Sequence, residues 1–436
     1  MSVNLKRRVI LSSGAVALCA LCASSTAFAG AFAPREQSAV GQGMSFAGMA
    51  AGGGDSISGM FWNPAVINQV EHFQGEQHVS VIVPDSTIDV TSALGAFGDS
   101  GNIGKVAALT SGYSAYRVSD TVVLGLSINT PFGLATDPKS NWGGQIYARN
   151  SRVRSINATP TVGVQLTDWL SIAGGVQIQW FDIRLKRAVG NGVPGDAVLP
   201  GAGSATLKGD DIGVGFTAGM TIEPMEGTSI GVGFRSSVSH TLDGKLYGPN
   251  PPLPADFDVK AKVKLPEVVT FGIRQKLTNE LTALGGFEWT NWSRLKTVNV
   301  KTGGLGTIQT LPFNYDDGYF VSGGLEYAYS PDLTVRGGVG YEWSPISTKN
   351  RDVRLPDDNR WWLSAGGSYN YSEKLSFDLG YSYVFVPGKS KIDIAPDPLV
   401  GAPGLQGKAK SDVHIVSAAV RYKFGGEAPA ALVTKY

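Results

Sequence analysis

From about residue 105 onward, apolar and polar side chains exchange sides at every step, segment after segment. Leu333, Val335, Gly337, Val339, Tyr341 and Trp343 share one face, opposite Thr334, Arg336, Gly338, Gly340 and Glu342. Leu170, Ile172, Gly174, Val176, Ile178 and Trp180 oppose Ser171, Gln177 and Gln179, and Leu375, Phe377, Leu379, Tyr381, Tyr383 and Phe385 oppose Ser376, Asp378 and Ser382. A period of two is the signature of a β-strand with two unlike faces. Each apolar face carries Tyr or Trp toward its end, where a lipid-facing strand meets the headgroups.

A soluble β-sandwich alternates too, but its strands average about five or six residues, and these segments run to about a dozen or more. The connections also alternate between short and long. Ser119-Asp120, Thr167-Asp168, Pro224 to Gly227, Thr278-Asn279-Glu280, Ser330-Pro331-Asp332 and Ser372-Glu373-Lys374 are short; Ala188 to Thr206, Asp243 to Asp256, Ser344 to Asn359 and Gly388 to Lys410 are long. Tight turns at one rim and long loops at the other mark an outer-membrane barrel. The pattern predicts an all-β fold, a transmembrane antiparallel β-barrel of about fourteen strands, an even number as such barrels require. The predicted cores are 73–83, 105–118, 121–134, 150–167, 169–187, 207–223, 228–242, 257–277, 280–299, 308–330, 332–344, 360–372, 374–387 and 411–424. Val416, Ala418, Val420, Tyr422 and Phe424 share a face of the last, and the barrel is expected over 71–424 with a tail over 425–436. Either Phe424 or Tyr436 is available as a terminal aromatic assembly signal.

The start of the chain adds the route. Lys6, Arg7 and Arg8 precede an apolar run from Val9 to Ala23, and Ala27-Phe28-Ala29 is a small-residue cleavage site. That reads as a signal peptide over 1–29 and an exported protein. Both cysteines, Cys19 and Cys22, fall inside it, each preceded by Leu where a lipoprotein signal wants a small residue. The mature chain therefore has no disulfide and no thiolate metal site. With 57 glycines and only 4 histidines in 436 residues, the composition suits tight turns between strands. A net charge of +1 gives no electrostatic case for nucleic acid.

Residues 30–70 precede the first strand, do not alternate, and are small and Gly-rich, as in Gly41-Gln42-Gly43 and Gly52-Gly53-Gly54. A barrel of this size leaves a lumen that its own side chains do not fill. A hatch over 30–70 plugging that lumen is the expected arrangement.

Several marks along this frame resemble the FadL family of outer-membrane transporters, whose members carry long-chain fatty acids or aromatic hydrocarbons. Phe61-Trp62-Asn63-Pro64-Ala65-Val66-Ile67 is similar to that family's Asn-Pro-Ala hatch motif. Ile128-Asn129-Thr130-Pro131-Phe132-Gly133-Leu134 is similar to its kinked third strand, and Lys264-Leu265-Pro266-Glu267 fits its spacing. Leu355-Pro356-Asp357-Asp358-Asn359-Arg360-Trp361-Trp362-Leu363-Ser364-Ala365-Gly366 resembles its Pro-Asp…Arg-(aromatic)-Trp-Leu-Ser-x-Gly run, which leads into the twelfth strand. The resemblance implies a monomeric, plugged barrel that passes a hydrophobic small molecule passively to an apolar lumenal pocket and out through the wall. It implies that Phe32 contacts the ligand, that Asn63, Pro64 and Ala65 sit by the kink, and that Pro131, Phe132 and Gly133 form it. Membrane lipid and lipopolysaccharide are the implied surroundings, and no cofactor is implied. The residues agree in part: Pro131 has no N–H for a ladder, and Gly133 tolerates backbone angles that other residues resist. Asn63-Pro64 also suits a helix N-cap followed by Pro at the first helical position.

By parity, Glu288, Arg336, Glu342 and Asp378 should face the lumen, either as an ion network joining wall to hatch or, for the basic residue, as a partner for a substrate carboxylate. An enzyme is the rival class. Gly54-Asp55-Ser56-Ile57 resembles the nucleophile block of GDSL-type esterases and Gly98-Asp99-Ser100-Gly101 a serine-protease motif. A serine nucleophile needs a base held by a carboxylate, and none of His72, His78, His240 and His414 has Asp three residues before it. No metalloprotease or phosphate-loop motif is present. A general porin and a surface adhesin or phage receptor are the remaining alternatives.

Overall fold

The computed structural model describes residues 30–52, 54–189, 201–248, 256–396 and 403–424. The signal peptide read over 1–29 and the tail over 425–436 lie outside the described residues.

Fourteen antiparallel strands close into a barrel. They are β1 (Phe73–Val90), β2 (Ala107–Arg117), β3 (Val122–Asn129 and Gly133–Thr136), β4 (Asn150–Thr167), β5 (Leu170–Val189), β6 (Gly203–Met225), β7 (Thr228–Arg235 and Ser239–Tyr247), β8 (Asp256–Lys264 and Val268–Lys276), β9 (Leu281–Thr290 and Thr297–Thr302), β10 (Gly306–Pro312 and Gly318–Ala328), β11 (Leu333–Trp343), β12 (Arg360–Asn370), β13 (Leu375–Phe385 and Ser390–Ile394) and β14 (Leu405–Phe424). Closure comes from β1 against β14, in register from Phe73↔Phe424 to Val90↔Gly407. That seam removes both free edges of the sheet, as lipid requires.

The alternation sorts side chains by solvent. On β13 Phe377, Leu379 and Tyr381 point outward, whereas Asp378 is buried within. On β12 Trp361 and Leu363 face out and Trp362 is fully buried. The outward residues form the lipid-facing band of an outer-membrane barrel.

Residues 30–70 lie almost entirely buried inside this wall. They form one short helix, α1 (Ala39–Gln42), capped by the Ser38 side chain accepting from the Gly41 N–H, and three 3-10 turns. Inward-facing glycines let the segment come this close. A Cβ at Gly231 would overlap the Ala50 carbonyl, one at Gly233 the Trp62 carbonyl, and one at Gly338 the Met44 backbone. The abundance of Gly therefore serves the wall–hatch contact as well as the turns.

Four strands that read as continuous in sequence are interrupted. The ladders of β7, β8, β9 and β10 lapse at 236–238, 265–267, 291–296 and 313–317. These gaps lie side by side, because Arg235 pairs with Val268, Val268 with Thr290 and Thr290 with Gly318. Between them the chain folds inward, burying Leu265, Trp292, Leu295 and Tyr315.

Candidate functional site

Above the hatch, toward the long loops, an apolar cavity encloses about 1050 Å³ with the solvent at its mouth included. Phe181, Leu207, Val263, Leu295 and Phe313 are among its lining residues. The interrupted strands build much of it, since Leu295 comes from the gap in β9 and Phe313 and Tyr315 from the gap in β10. Phe32 forms part of its floor, 4.7 Å from the Trp292 ring and 6.0 Å from that of Phe132, in tilted and edge-on contacts. A second, more polar cavity of about 630 Å³ lies beyond that aromatic partition, lined by Phe61, Trp62, Pro131, Phe132 and Arg235 among others.

Arg354 borders the apolar cavity and has no ion-pair partner among the described residues; Lys208 also touches the cavity, but it is exposed on the face of β6 opposite the buried Leu207. Arg354 donates to the hydroxyl of Ser151 at 2.9 Å and to the carbonyls of Asn150 and Lys186. Burial pulls its pKa down to about 10, against the raising effect of Asp352 and with the help of Arg187, so it stays cationic at neutral pH. Arg354 lies in the loop before β12, where alternation gives no information about the lumen, whereas alternation within β6 puts Lys208 on the outer face.

The wall beside this site is open. β3 pairs with β4 up to Asn129↔Asn157 and resumes at Gly133↔Arg154, so Thr130, Pro131 and Phe132 stand outside the ladder. On its other side β3 pairs with β2 only from Gly112↔Ile128 to Arg117↔Val123. Residues 107–111 of β2 are thus paired with β1 alone, and a single bridge, Gly104↔Thr136, rejoins the edges above. Pro131 to Leu134 are all buried, where the strand before them alternates, so the chain turns into the lumen here.

Hatch residues fill the gap from within. The Gly133 N–H donates to the Phe32 carbonyl at 2.8 Å. The Gln37 side-chain amide donates to the Thr130 carbonyl at 2.8 Å, and its oxygen accepts from the Thr130 N–H at 3.3 Å. On the opposite edge, the Gln37 carbonyl accepts from Ser111 Oγ at 2.6 Å and Tyr113 OH at 2.8 Å. Asn63 lies elsewhere. Its side chain caps a 3-10 turn by accepting from the Ala65 N–H, with Pro64 at the first position, and donates to the carbonyls of Ala50 and of Met220 on β6. Among the described residues, no hydrogen bond joins Asn63, Pro64 or Ala65 to the break in β3; Phe32 and Gln37 make those contacts.

The lumenal charges fall into two networks. Arg336 pairs with Glu326 at 2.6 Å and Glu326 with Arg274 at 2.7 Å, while Ser368 bridges Arg336 and Asp378. Asp378 pairs with Arg421 at 2.8 Å, and Arg421 reaches the hatch at the Asp55 carbonyl. The other network joins Arg35 of the hatch to Glu288 and Glu342, and Glu342 together with Asp357 also holds Arg360. Next to it, burial pushes the Glu36 carboxyl up to about 7 despite nearby Arg35. Ser56 and His78 do not meet: each contacts Glu76, at 2.8 and 3.0 Å, and His78 Nδ1 accepts the Ala39 N–H. That geometry does not place His78 as a base for the serine.

A family model described as outer membrane protein transport protein (OMPP1/FadL/TodX) matches residues 20–424. The chain is similar to a long-chain fatty acid transport protein of Escherichia coli, 25% identical over 414 residues, covering 87% of this chain and 92% of the relative. It superposes on a crystal structure of a Pseudomonas aeruginosa FadL homologue with a TM-score of 0.80 at 22% identity, over 91% of this chain and 100% of the other. The Ralstonia pickettii toluene transporter TbuX gives a TM-score of 0.66 at 20% identity, over 90% and 100%.

Proposed function

Because this chain belongs to the OMPP1/FadL/TodX family of outer membrane transport proteins, we propose that it takes up long-chain fatty acids passively and releases them sideways through the break in β3. It is an outer-membrane barrel of a family that moves hydrophobic compounds. The observation that carries the reading is the apolar cavity set against an unpaired stretch of wall. A tail entering the cavity gains roughly 0.8 kcal/mol per methylene, so no energy source is needed. Exit through the wall returns it to hydrocarbon without passing through water.

Arg354 favours an acid over a neutral ligand. A desolvated guanidinium without a carboxylate partner is a ready site for a carboxylate head. The similarity to a fatty acid transport protein agrees with this. The second reading, aromatic hydrocarbons by the same route, draws on the rings of Phe32, Phe181 and Phe313 in the lining. Binding to the detergent-purified protein separates them. A long-chain fatty acid should bind at least about tenfold tighter than its methyl ester, a difference of about 1.4 kcal/mol, and Arg354→Ala should erase the gap. Equal binding of acid and ester, together with saturable binding of toluene, would turn the assignment to the aromatic class.

A further inference from the structure

At the start of the hatch, carboxyl groups outnumber guanidinium groups. Among the described residues three carboxylates meet there, Glu288, Glu342 and Asp357, with side chains 14%, 3% and 2% exposed. Two guanidinium groups answer them. Arg35 reaches Glu288 at 2.8 Å and Glu342 at 3.0 Å, and Arg360 reaches Glu342 at 3.1 Å and Asp357 at 2.7 Å. A third, the buried Arg235, acts on Glu288 at longer range from the same cavity, so the three carboxylates are matched in number and none of their charges is left over. Glu36 beside them is a fourth carboxyl, fully buried, whose oxygens accept no hydrogen bond from another residue. A buried charge without a partner is strongly unfavourable, so such a site draws in a cation or a proton.

A further nitrogen that meets these carboxylates belongs to Gly30. It is buried and 3.0 Å from Glu342 Oε1. A Cβ on Gly30 would stand 2.5 Å from that same oxygen, so the absence of a side chain permits the approach. Ala31 follows with φ at 52°, a left-handed angle that alanine rarely adopts. Its N–H donates to Asp357 Oδ2 at 3.1 Å, which holds the turn. As an amide, the Gly30 nitrogen offers one N–H and no charge. As a chain terminus it offers three and a full positive charge. A signal peptidase cutting Ala29–Gly30 produces that terminus: the oxygen of water joins the Ala29 carbonyl carbon, the C–N bond breaks, and the freed Gly30 amine takes up a proton.

We infer that Glu342 and Asp357 form a binding site for the protein's own mature α-ammonium, so that removal of the signal peptide completes the buried ion cluster and seats Phe32 in the cavity floor. Phe32 lies two residues beyond the terminus, and its carbonyl accepts from Gly133 in the wall break. Terminus, floor and wall opening are therefore linked by three residues of chain. The uncleaved precursor keeps the hydrogen bond but lacks the charge, and its barrel stays loosely plugged. The inference rests on cleavage after Ala29 and on no particular ligand, so it stands or falls separately from the fatty-acid reading.

The test uses protein purified from outer membranes, its start fixed by intact mass. The Gly30 amine of the wild type should react with an acylating reagent at neutral pH at least ten times more slowly than surface lysines. Glu342→Gln should speed that labelling. A variant with one alanine inserted between Ala29 and Gly30 and retained in the mature chain moves the ammonium off Glu342. It should keep the heat-modifiable mobility of a folded barrel yet conduct ions several-fold more than wild type in planar bilayers. Should Glu342→Gln fail to assemble, the insertion variant decides alone. A mature chain that starts elsewhere, a Gly30 amine as reactive as surface lysines, or an insertion variant as silent as wild type would each overturn the inference.

Discussion

Gln37 meets the wall on both sides of the gap, and its contacts stand in for ladder bonds that β3 has lost. Its side chain satisfies both the N–H and the carbonyl of Thr130, while its own carbonyl takes two hydroxyl donors from β2. Removing the side chain leaves two part-buried backbone groups without protein partners, at a cost of about 0.5–1.5 kcal/mol each. Gln37→Ala should therefore loosen the hatch from the break while leaving the barrel assembled. Uptake of a fluorescent fatty acid by cells should rise, and less endogenous ligand should survive purification, as read by native mass spectrometry. Unchanged values of both would remove Gln37 from the gate. No periodicity marks this residue in the sequence, because the hatch has none. Pro131 could be read in advance, since a missing N–H inside an alternating segment is visible in one dimension. Gln37 and Arg354 could not, since their roles depend on what stands across from them.

At the scale of elements, alternation located the strands because lipid on one side and an occluded lumen on the other leave a two-residue period little freedom. It did not reveal the gaps in β7 to β10. A strand that leaves the wall for a few residues and returns keeps apolar residues such as Leu265, Leu295 and Phe313, so its composition still looks like strand. Their adjacency emerges only when register aligns them. The break in β3 differs in being held apart from β2 over 107–111. Replacing Pro131 and Gly133 together with Val restores an N–H and a strand-forming side chain. The repaired segment can then pair with the free edge of β2 and close the wall. Uptake should fall several-fold with surface expression and thermal stability intact. A repaired strand with undiminished uptake would mean that the ligand leaves by another way.

The molecule as a whole consists of a barrel held by its own ladders and a hatch held by side chains, charges and close backbone contact. These two kinds of cohesion are separable. The β6–β7–β8 ladders run through Gly231 and Gly233 without using their missing side chains, whereas the hatch depends on that absence. Because Gly231 faces the Ala50 carbonyl, one methyl group there must push the hatch from the wall or bend the wall away from the hatch. The strand segment Thr228–Arg235 is the stiffer of the two: its hydrogen bonds extend to both neighbours, while the 3-10 turn at Met49–Ala51 is three residues long. The hatch should therefore yield. Gly231→Ala is expected to assemble into a folded, heat-modifiable barrel, to show lumenal ion leak in planar bilayers, and to melt in its hatch before its wall. A matching change at the outward-facing Val232, to Ile, adds a methyl group to the lipid side of the same strand and should alter neither conductance nor hatch melting. If Gly231→Ala proved as tightly closed as wild type, the wall would be the compliant partner, and the glycines would owe their number to the turns alone.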